Sequence, residues 1–218
     1  MTKISTNYRS VKSIVDAGAS IIKNNGASQI PKATVSCRNE VREIKVLRST
    51  HKKDFESRYH EQTAEDCLNR IKSCLDNGCA ANDILVLCRY KFPRVVELFV
   101  EKAKEMRLSV AFDKEHAKEN QIRVMTVHKS KGLQAKAVFL LDVVCGAYGF
   151  PCEIEDPSIL APARENYPPF DHKQEERRLF YVAMTRAKED LFIYTWEPAK
   201  SEFLEEIEEH VNEEPLYY

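Results

Sequence analysis

Two runs of consecutive apolar residues constrain this chain more than anything else in it. Ile84-Leu-Val-Leu-Cys88 follows Asp83, and a second run extends from Ala137 to Val144 with Asp142 inside it. Both carry hydrophobic side chains on successive positions rather than alternate ones. A strand that reads this way is buried on both faces, as when helices cover a parallel sheet from each side. The surrounding sequence supplies the helices. Val11, Ile14, Val15, Gly18, Ile21 and Ile22 recur at three- and four-residue steps, with Gly26 closing the run. A polar helix is expected from about Asp54 to Asp76, and Pro93 can open another that carries Val96, Phe99, Val100 and Ala103. Short strands are expected at Glu43 to Leu47, Ser109 to Phe112 and Ile122 to Val127. After an irregular stretch from Cys145 to His172 with five prolines come a helix (Glu175 to Lys188), a strand (Leu191 to Trp196) and an acidic helix (Ser201 to Val211). This alternation predicts an α/β fold with a mostly parallel sheet and helices on both faces. In such sheets ligands collect just past the carboxyl ends of the strands.

Composition narrows the class. The 218 residues allow one ordinary domain or two small ones. No stretch approaches eighteen apolar residues and no basic-then-apolar segment opens the chain, so a membrane span and a secretory signal are not expected. Six glycines are too few for a glycine-rich phosphate cradle, and GxxxxGK[ST] is absent. Charge is unevenly placed. Glu197 to Tyr218 holds eight acidic residues and one Lys, which leaves 32 basic and 26 acidic residues, a net of +6, for the rest. The expected organisation is a body over residues 1–196 and an acidic helix or tail over 197–218. The seven cysteines are scattered, with no CxxC and no His at zinc-ligand spacing. They read as reduced structural thiols of a cytoplasmic protein, and no metal site is expected.

Three segments carry residues that a plain core does not need. Asn7-Tyr8-Arg9-Ser10 precedes the first helix, where a ring and a guanidinium could hold an anion, or could simply cap the helix and pack. Met125-Thr-Val-His-Lys-Ser-Lys-Gly-Leu133 leads straight out of a strand. Its hydroxyl, imidazole and ammonium groups, with a close backbone approach at Gly132, suit phosphate oxygens; a polar turn is the alternative. In Glu175-Glu-Arg-Arg-Leu-Phe-Tyr-Val-Ala-Met-Thr-Arg-Ala-Lys188, Arg186 continues an apolar stripe of Leu179 and Val182. A semi-buried Arg there needs an anion, either an internal carboxylate such as Glu175 or a bound phosphate.

In this order the three segments resemble motifs IV, V and VI of UvrD/Rep-type superfamily 1 DNA helicases, and the likeness spans nearly the whole chain. Motif VI, EERRLxYVAxTRAK, is the most specific of the three. Gly149-Phe-Pro151, the acidic residues after it and Phe180 are most similar to a helicase-IV-like branch. The resemblance implies the C-terminal RecA-like motor lobe of an ATP-dependent 3′–5′ helicase. Tyr8 would stack on adenine, while Arg9 and Arg186 would touch the terminal phosphate. Thr126 and His128 would contact single-stranded DNA, with Lys131 and Gly132 shaping that loop. The family's ribose-binding Glu in motif V is Gln134 here, which keeps a hydrogen bond but loses the charge. Only 119 positions separate Arg9 from His128, so the large inserted subdomain of longer relatives is expected to be absent.

The same resemblance implies partners: DNA, ATP with Mg²⁺, and an N-terminal lobe bearing the Walker A lysine and the metal-binding carboxylates. Without that lobe the chain is expected to be inactive. A competing reading is a non-enzymatic nucleic-acid or polymerase-binding module of helicase shape. A helicase–nuclease lobe is a third, of which the acidic tail gives no sign.

Overall fold

The computed structural model describes residues 6–26, 34–38, 40–52, 56–90, 93–113, 117–154 and 171–216. The two continuous apolar runs lie at the centre of a seven-stranded sheet. Its strands are β3 (Ile44–Ser49), β4 (Ile84–Cys88), β5 (Val110–Phe112), β6 (Ile122–Thr126), β7 (Ala135–Leu140), β8 (Ala187–Trp196) and β9 (Val211–Pro215), in the order β5-β6-β4-β7-β8-β3-β9. Every pairing is parallel. A separate two-residue pair, β1 (Thr6–Asn7) with β2 (Val35–Ser36), stands beside the first helix.

Helices cover both faces, and the pleat sorts side chains between them. On one face Leu85, Leu87, Val138, Leu140 and Ile193 pack with α1 (Lys12–Lys23) and α4 (His172–Met184). On the other, Ile84, Val86, Cys88, Ala137 and Phe139 pack with α2 (Glu56–Asp76) and α3 (Arg94–Glu105). β4 therefore shows apolar side chains to both layers, which is why its sequence does not alternate. Pro93 stands at the N-cap of α3, as its fixed φ suits. The polar helix α2 buries Tyr59, Ala64, Cys67, Leu68 and Ile71 against the sheet, leaves most of its charged side chains outside and half-buries Asp66 and Arg70. No helix described is long and apolar enough to cross a membrane.

Two expectations need correction. The helix over motif VI ends at Met184 rather than Lys188. There Thr185 Oγ1 donates to the carbonyls of Tyr181 and Val182, the chain turns, and β8 begins at Ala187. The acidic segment differs as well. Glu202–His210 is a 3₁₀ helix, and Val211–Pro215 then joins β3 as the outermost strand, so residues up to Pro215 belong to the main sheet. The proline-rich stretch lies outside the described residues from 155 to 170. Its first part is anchored by Phe150, which is buried against Phe180.

Electrostatics explains how an acidic strand docks there. Glu214 accepts from Lys45 Nζ at 2.6 Å and from Arg70 Nη2 at 3.1 Å, while Glu213 accepts from Lys200 Nζ at 2.6 Å. The hydrogen bond from Lys45, aided by its charge and by Arg70, holds the Glu214 carboxyl below the ordinary glutamate pKa. Its contribution to stability is therefore fully present above the unfolded pKa of ~4.3 and is lost as pH falls through the depressed folded value. Glu214→Gln should cost roughly 0.5–1 kcal/mol at pH 7. Urea denaturation of both proteins across pH 7 to 3 should show that difference shrinking at the acid end.

Candidate functional site

The three segments singled out in the sequence meet around one short connection. β6 and β7 are not neighbours; both pair with β4, one on each side. Thr126 stands level with Cys88 at the carboxyl end of β4, and Ala137 stands level with Ile84 at its amino end. Residues 127–134 must therefore run from the carboxyl edge of the sheet to the amino edge while crossing over β4. Parallel connections usually take a dozen residues or more; this one has no helix beyond a 3₁₀ turn at His128–Ser130. Val127 is buried and Leu133 packs in the same cluster as Leu85 and Leu87, so the segment lies directly on the α1/α4 face.

Its carboxyl end is fixed by Val127 N donating to the Cys88 carbonyl at 3.0 Å and Ser130 Oγ donating to the Val127 carbonyl at 2.7 Å. Gly132 has φ +88°, a left-handed turn that side chains disfavour. Two arginines hold the amino end. Arg186 Nη1 donates to the Leu133 carbonyl at 2.9 Å, and Arg123 Nη2 donates to the Gln134 carbonyl at 2.9 Å. The Gln134 side chain is exposed.

At the amino edge, Arg186 is 9% exposed, and all its hydrogen bonds end on neutral oxygens: the carbonyls of Val182 and Leu133 and the hydroxyl of Thr185. Glu175, the candidate internal partner, pairs with Arg178 instead. Arg186 is thus not on the helical stripe; it turns back to cap the open carbonyl at the end of α4 and brace the crossover. Burial, then the positive charge of Arg9, lowers the pKa of its guanidinium below the ordinary value. Elsewhere Arg38, Arg42, Arg48, Arg70, Arg89 and Arg177 each close on a carboxylate within 2.7–3.0 Å.

The segment with Tyr8 and Arg9 is tied to the same place. Asn7 Oδ1 accepts from the backbone N–H of Arg9 at 2.8 Å and of Ser10 at 3.1 Å, forming a side-chain turn rather than a helix cap. Ser10 Oγ donates to the Ala187 carbonyl at 2.6 Å, and Val11 N donates to the Lys188 carbonyl at 2.9 Å. Arg9 is exposed, and Tyr8 presents a ring 74% exposed. This edge combines a free aromatic face with two cations, one of them buried without a carboxylate. It is equipped to receive an anion attached to a flat ring.

At the carboxyl edge lie Thr126, half-buried, and His128 and Lys131, both exposed. Loss of hydration, then the charges of Arg89 and Lys131, lowers the His128 pKa below its ordinary ~6.5. The imidazole is therefore neutral at pH 7 and can donate one hydrogen bond and accept another. Lys129 pairs with Asp113. The expected gathering of all site residues past the carboxyl ends is thus only half of the arrangement. Tyr8, Arg9, Gln134 and Arg186 collect at the opposite edge.

Two residues beyond the motif roles turn out to support this edge. Arg89, next after β4, donates to Glu176 from Nε at 3.0 Å and Nη2 at 2.8 Å, and Glu176 also accepts from Cys152 N at 3.0 Å. Glu176 therefore ties motif VI to both β4 and the chain after β7. The position of Arg89, directly after a continuously apolar strand, was the available sequence signal.

Residues 94–197 match the UvrD-like helicase C-terminal domain. YjcD of Bacillus subtilis (strain 168) is 36% identical over 113 residues, which are 51% of this chain and 13% of that protein. DNA helicase IV of Escherichia coli (strain K12) is 34% identical over 108 residues, covering 48% and 14%. A DNA helicase II homolog of Mycoplasma capricolum is 38% identical over 74 residues, covering 34% and 8%. The matched segment is thus a small part of each relative's length. In fold, the chain resembles the solved C-terminal domain of a possible DNA helicase from Lactobacillus plantarum WCFS1, with a TM-score of 0.59 at 14% identity over 95% of this chain and 98% of that one. Over residues 94–197 the chain is thus similar to the C-terminal domain of UvrD/Rep-type, superfamily 1 helicases, and its fold is RecA-like α/β with a parallel sheet flanked by helices. The relatives' names vary and single out no one branch, the helicase-IV-like branch included.

Removing either partner of the Arg89–Glu176 pair leaves a buried charge uncompensated. Arg89→Ala and Glu176→Ala should each cost ~3–5 kcal/mol. In a urea-denaturation cycle the double variant should cost clearly less than the sum of the two.

Proposed function

We propose that this domain is the C-terminal motor lobe of an ATP-dependent 3′–5′ DNA helicase or translocase, whose amino edge receives ATP and whose carboxyl edge holds single-stranded DNA. The observation that carries this reading is Arg186: a buried guanidinium with no carboxylate within ion-pair distance among the described residues, facing a second cation at Arg9. A buried unpaired charge is costly, and an anion arriving from outside would relieve both residues. The exposed Tyr8 ring fits the adenine, and the Gln134 amide can accept from a ribose hydroxyl. In this reading the Mg²⁺ ligands and the Walker A lysine belong to a second lobe, and the lobe alone turns over no ATP.

Phosphoryl transfer spreads negative charge over equatorial oxygens, and a preset cation there stabilises the transition state. The atom that braces the crossover, Nη1 on the Leu133 carbonyl, belongs to the Arg186 guanidinium. Drawing that group towards a phosphate loosens the amino end of the crossover, and His128 sits near the other end of the same eight residues. Nucleotide occupancy would in this way change the hold on DNA, and cycles of closure and opening would move the protein along the strand.

In a protein that joins this chain to a Walker-type N-terminal lobe, Arg186→Ala should lower DNA-stimulated ATPase by ~10³-fold or more. An unaltered ATPase rate would refute the finger and favour the binding-module reading. His128→Ala should instead weaken single-strand binding and uncouple ATP turnover from DNA. Stimulation by DNA that survives intact would reduce His128 to part of a turn.

A further inference from the structure

Arg123 lies on β6, outside the three motifs, and is buried as deeply as Arg186. It stands level with Leu85 in the β4–β6 pairing, so both side chains point to the α1/α4 face, along which the crossover runs. Its Nη2 donates to the Gln134 carbonyl at 2.9 Å, while Nε is buried with no hydrogen-bond partner. Among the described residues no carboxylate lies within ion-pair distance of it. Asp83, whose charge it feels, instead accepts from Lys136 N at 3.1 Å and pairs with Lys188 at 3.6 Å.

An uncompensated buried charge is costly, and an apolar side chain would avoid that cost. What the guanidinium supplies is a charge-assisted grip on one carbonyl. That carbonyl belongs to the peptide between Gln134 and Ala135, whose amide hydrogen is donated to the Arg186 carbonyl at 3.0 Å. The peptide is therefore held at both ends. The preceding one, between Leu133 and Gln134, is held by Arg186 Nη1 on the Leu133 carbonyl. With both flanking peptide planes fixed, so is the direction in which the Gln134 side chain leaves the backbone.

The two guanidiniums grip from opposite flanks, since β6 and β8 lie on either side of the β4–β7 pair. They differ in one respect. If Arg186 is drawn towards a phosphate, the Leu133 carbonyl loses its brace, whereas Arg123 keeps its hold on the next carbonyl. The side chain thus steadied is an exposed neutral amide. A carboxylate there would be drawn back onto the two guanidiniums, but an amide is not. It also attracts a hydroxyl only at hydrogen-bond range, so its placement decides whether the bond forms.

We infer that Arg123 is a positioning residue for nucleotide selection: its hold on the Gln134 carbonyl aims the Gln134 amide at a ribose hydroxyl while Arg186 engages the phosphate. This rests on the reading of Gln134 as the ribose contact and adds the group that sets it.

The test is steady-state ATPase of the protein joined to a Walker-type N-terminal lobe, with ATP, 2′-deoxy-ATP and 3′-deoxy-ATP as substrates. Wild type should favour ATP over one of the deoxy nucleotides by roughly three- to tenfold in kcat/KM, the worth of one hydrogen bond. Arg123→Met, which keeps an unbranched chain and removes the buried charge, should abolish that preference through a raised KM for ATP. Its kcat at saturation, and its KM for that deoxy nucleotide, should stay within about twofold of wild type. Arg123→Lys, with one charged donor, should restore part of the preference. Gln134→Ala should abolish it, and the double variant should lose no more than either single change. Thermal melts check that each variant is folded. A preference lost in Gln134→Ala but kept in Arg123→Met refutes the positioning role and leaves the ribose contact standing. Equal losses on all three nucleotides in Arg123→Met also refute it and make Arg123 a purely structural brace. If wild type turns over no ATP or treats the three nucleotides alike, or if Gln134→Ala keeps the preference, the ribose reading fails and the positioning role fails with it.

Discussion

The crossover from Val127 to Gln134 is the constraint on which the rest depends. The strand registers require it to descend from the level of Cys88 past that of Ile84 to the start of β7 at Ala135, ~20 Å at ~3.3 Å per residue, and to step sideways by two strand spacings, ~10 Å. Eight residues with a 3₁₀ turn among them reach only a little further than that. A segment with so little slack cannot absorb a displacement at one end. What moves Leu133 and Gln134 must be felt at His128, through covalent geometry more than through any chain of side-chain contacts. Gly132 is where such a segment can turn without strain.

The charges are arranged to match. Over most of the surface, cations and carboxylates neutralise one another at short range, and the acidic C-terminal segment is absorbed into this pattern by Lys45, Arg48, Arg70 and Lys200. The mild basicity outside that segment is therefore largely spoken for. Arg186 departs from the pattern, as does Arg123, which is also buried, has Nε without a partner and has its pKa lowered by desolvation. Both grip the carbonyls at the amino end of the crossover. The sheet thus keeps its uncompensated positive charge where its tautest segment ends.

Much of the layered fold could be read in the sequence, because burial on both faces leaves a trace in consecutive residues. Ile84 to Cys88 is apolar at every position since each side chain meets one helical layer or the other. The end of α4 was harder to see. Tyr181, Val182, Thr185 and Arg186 keep helical spacing past the true terminus because Thr185 and Arg186 bond back to the last turn, mimicking continuation. β9 was hidden for a different reason: Val-Asn-Glu-Glu-Pro has poor strand propensity, and it is held as a strand by its pairing with β3 and by ion pairs to β3 and α2. Motif resemblance singled out residues at both edges of the sheet, but spacing along a chain says nothing about which edge a residue reaches. That followed only from the register of β6 and β7 on β4.

The last strand also affects how this molecule meets others of its kind. An outer strand of a parallel sheet offers unpaired amide and carbonyl groups to any passing chain, and sheets can grow by accepting one. Here that margin carries Glu213 and Glu214 and ends at Pro215, which has no amide hydrogen to give. At the opposite margin β5 is three residues long. Because Glu213 and Glu214 are held by Lys45, Arg48, Arg70 and Lys200, a chain that paired along β9 would have to settle over a row of ion pairs and would find no amide hydrogen at Pro215. The residues that appear in composition as an acidic tail thus make this margin a poor template for a further strand.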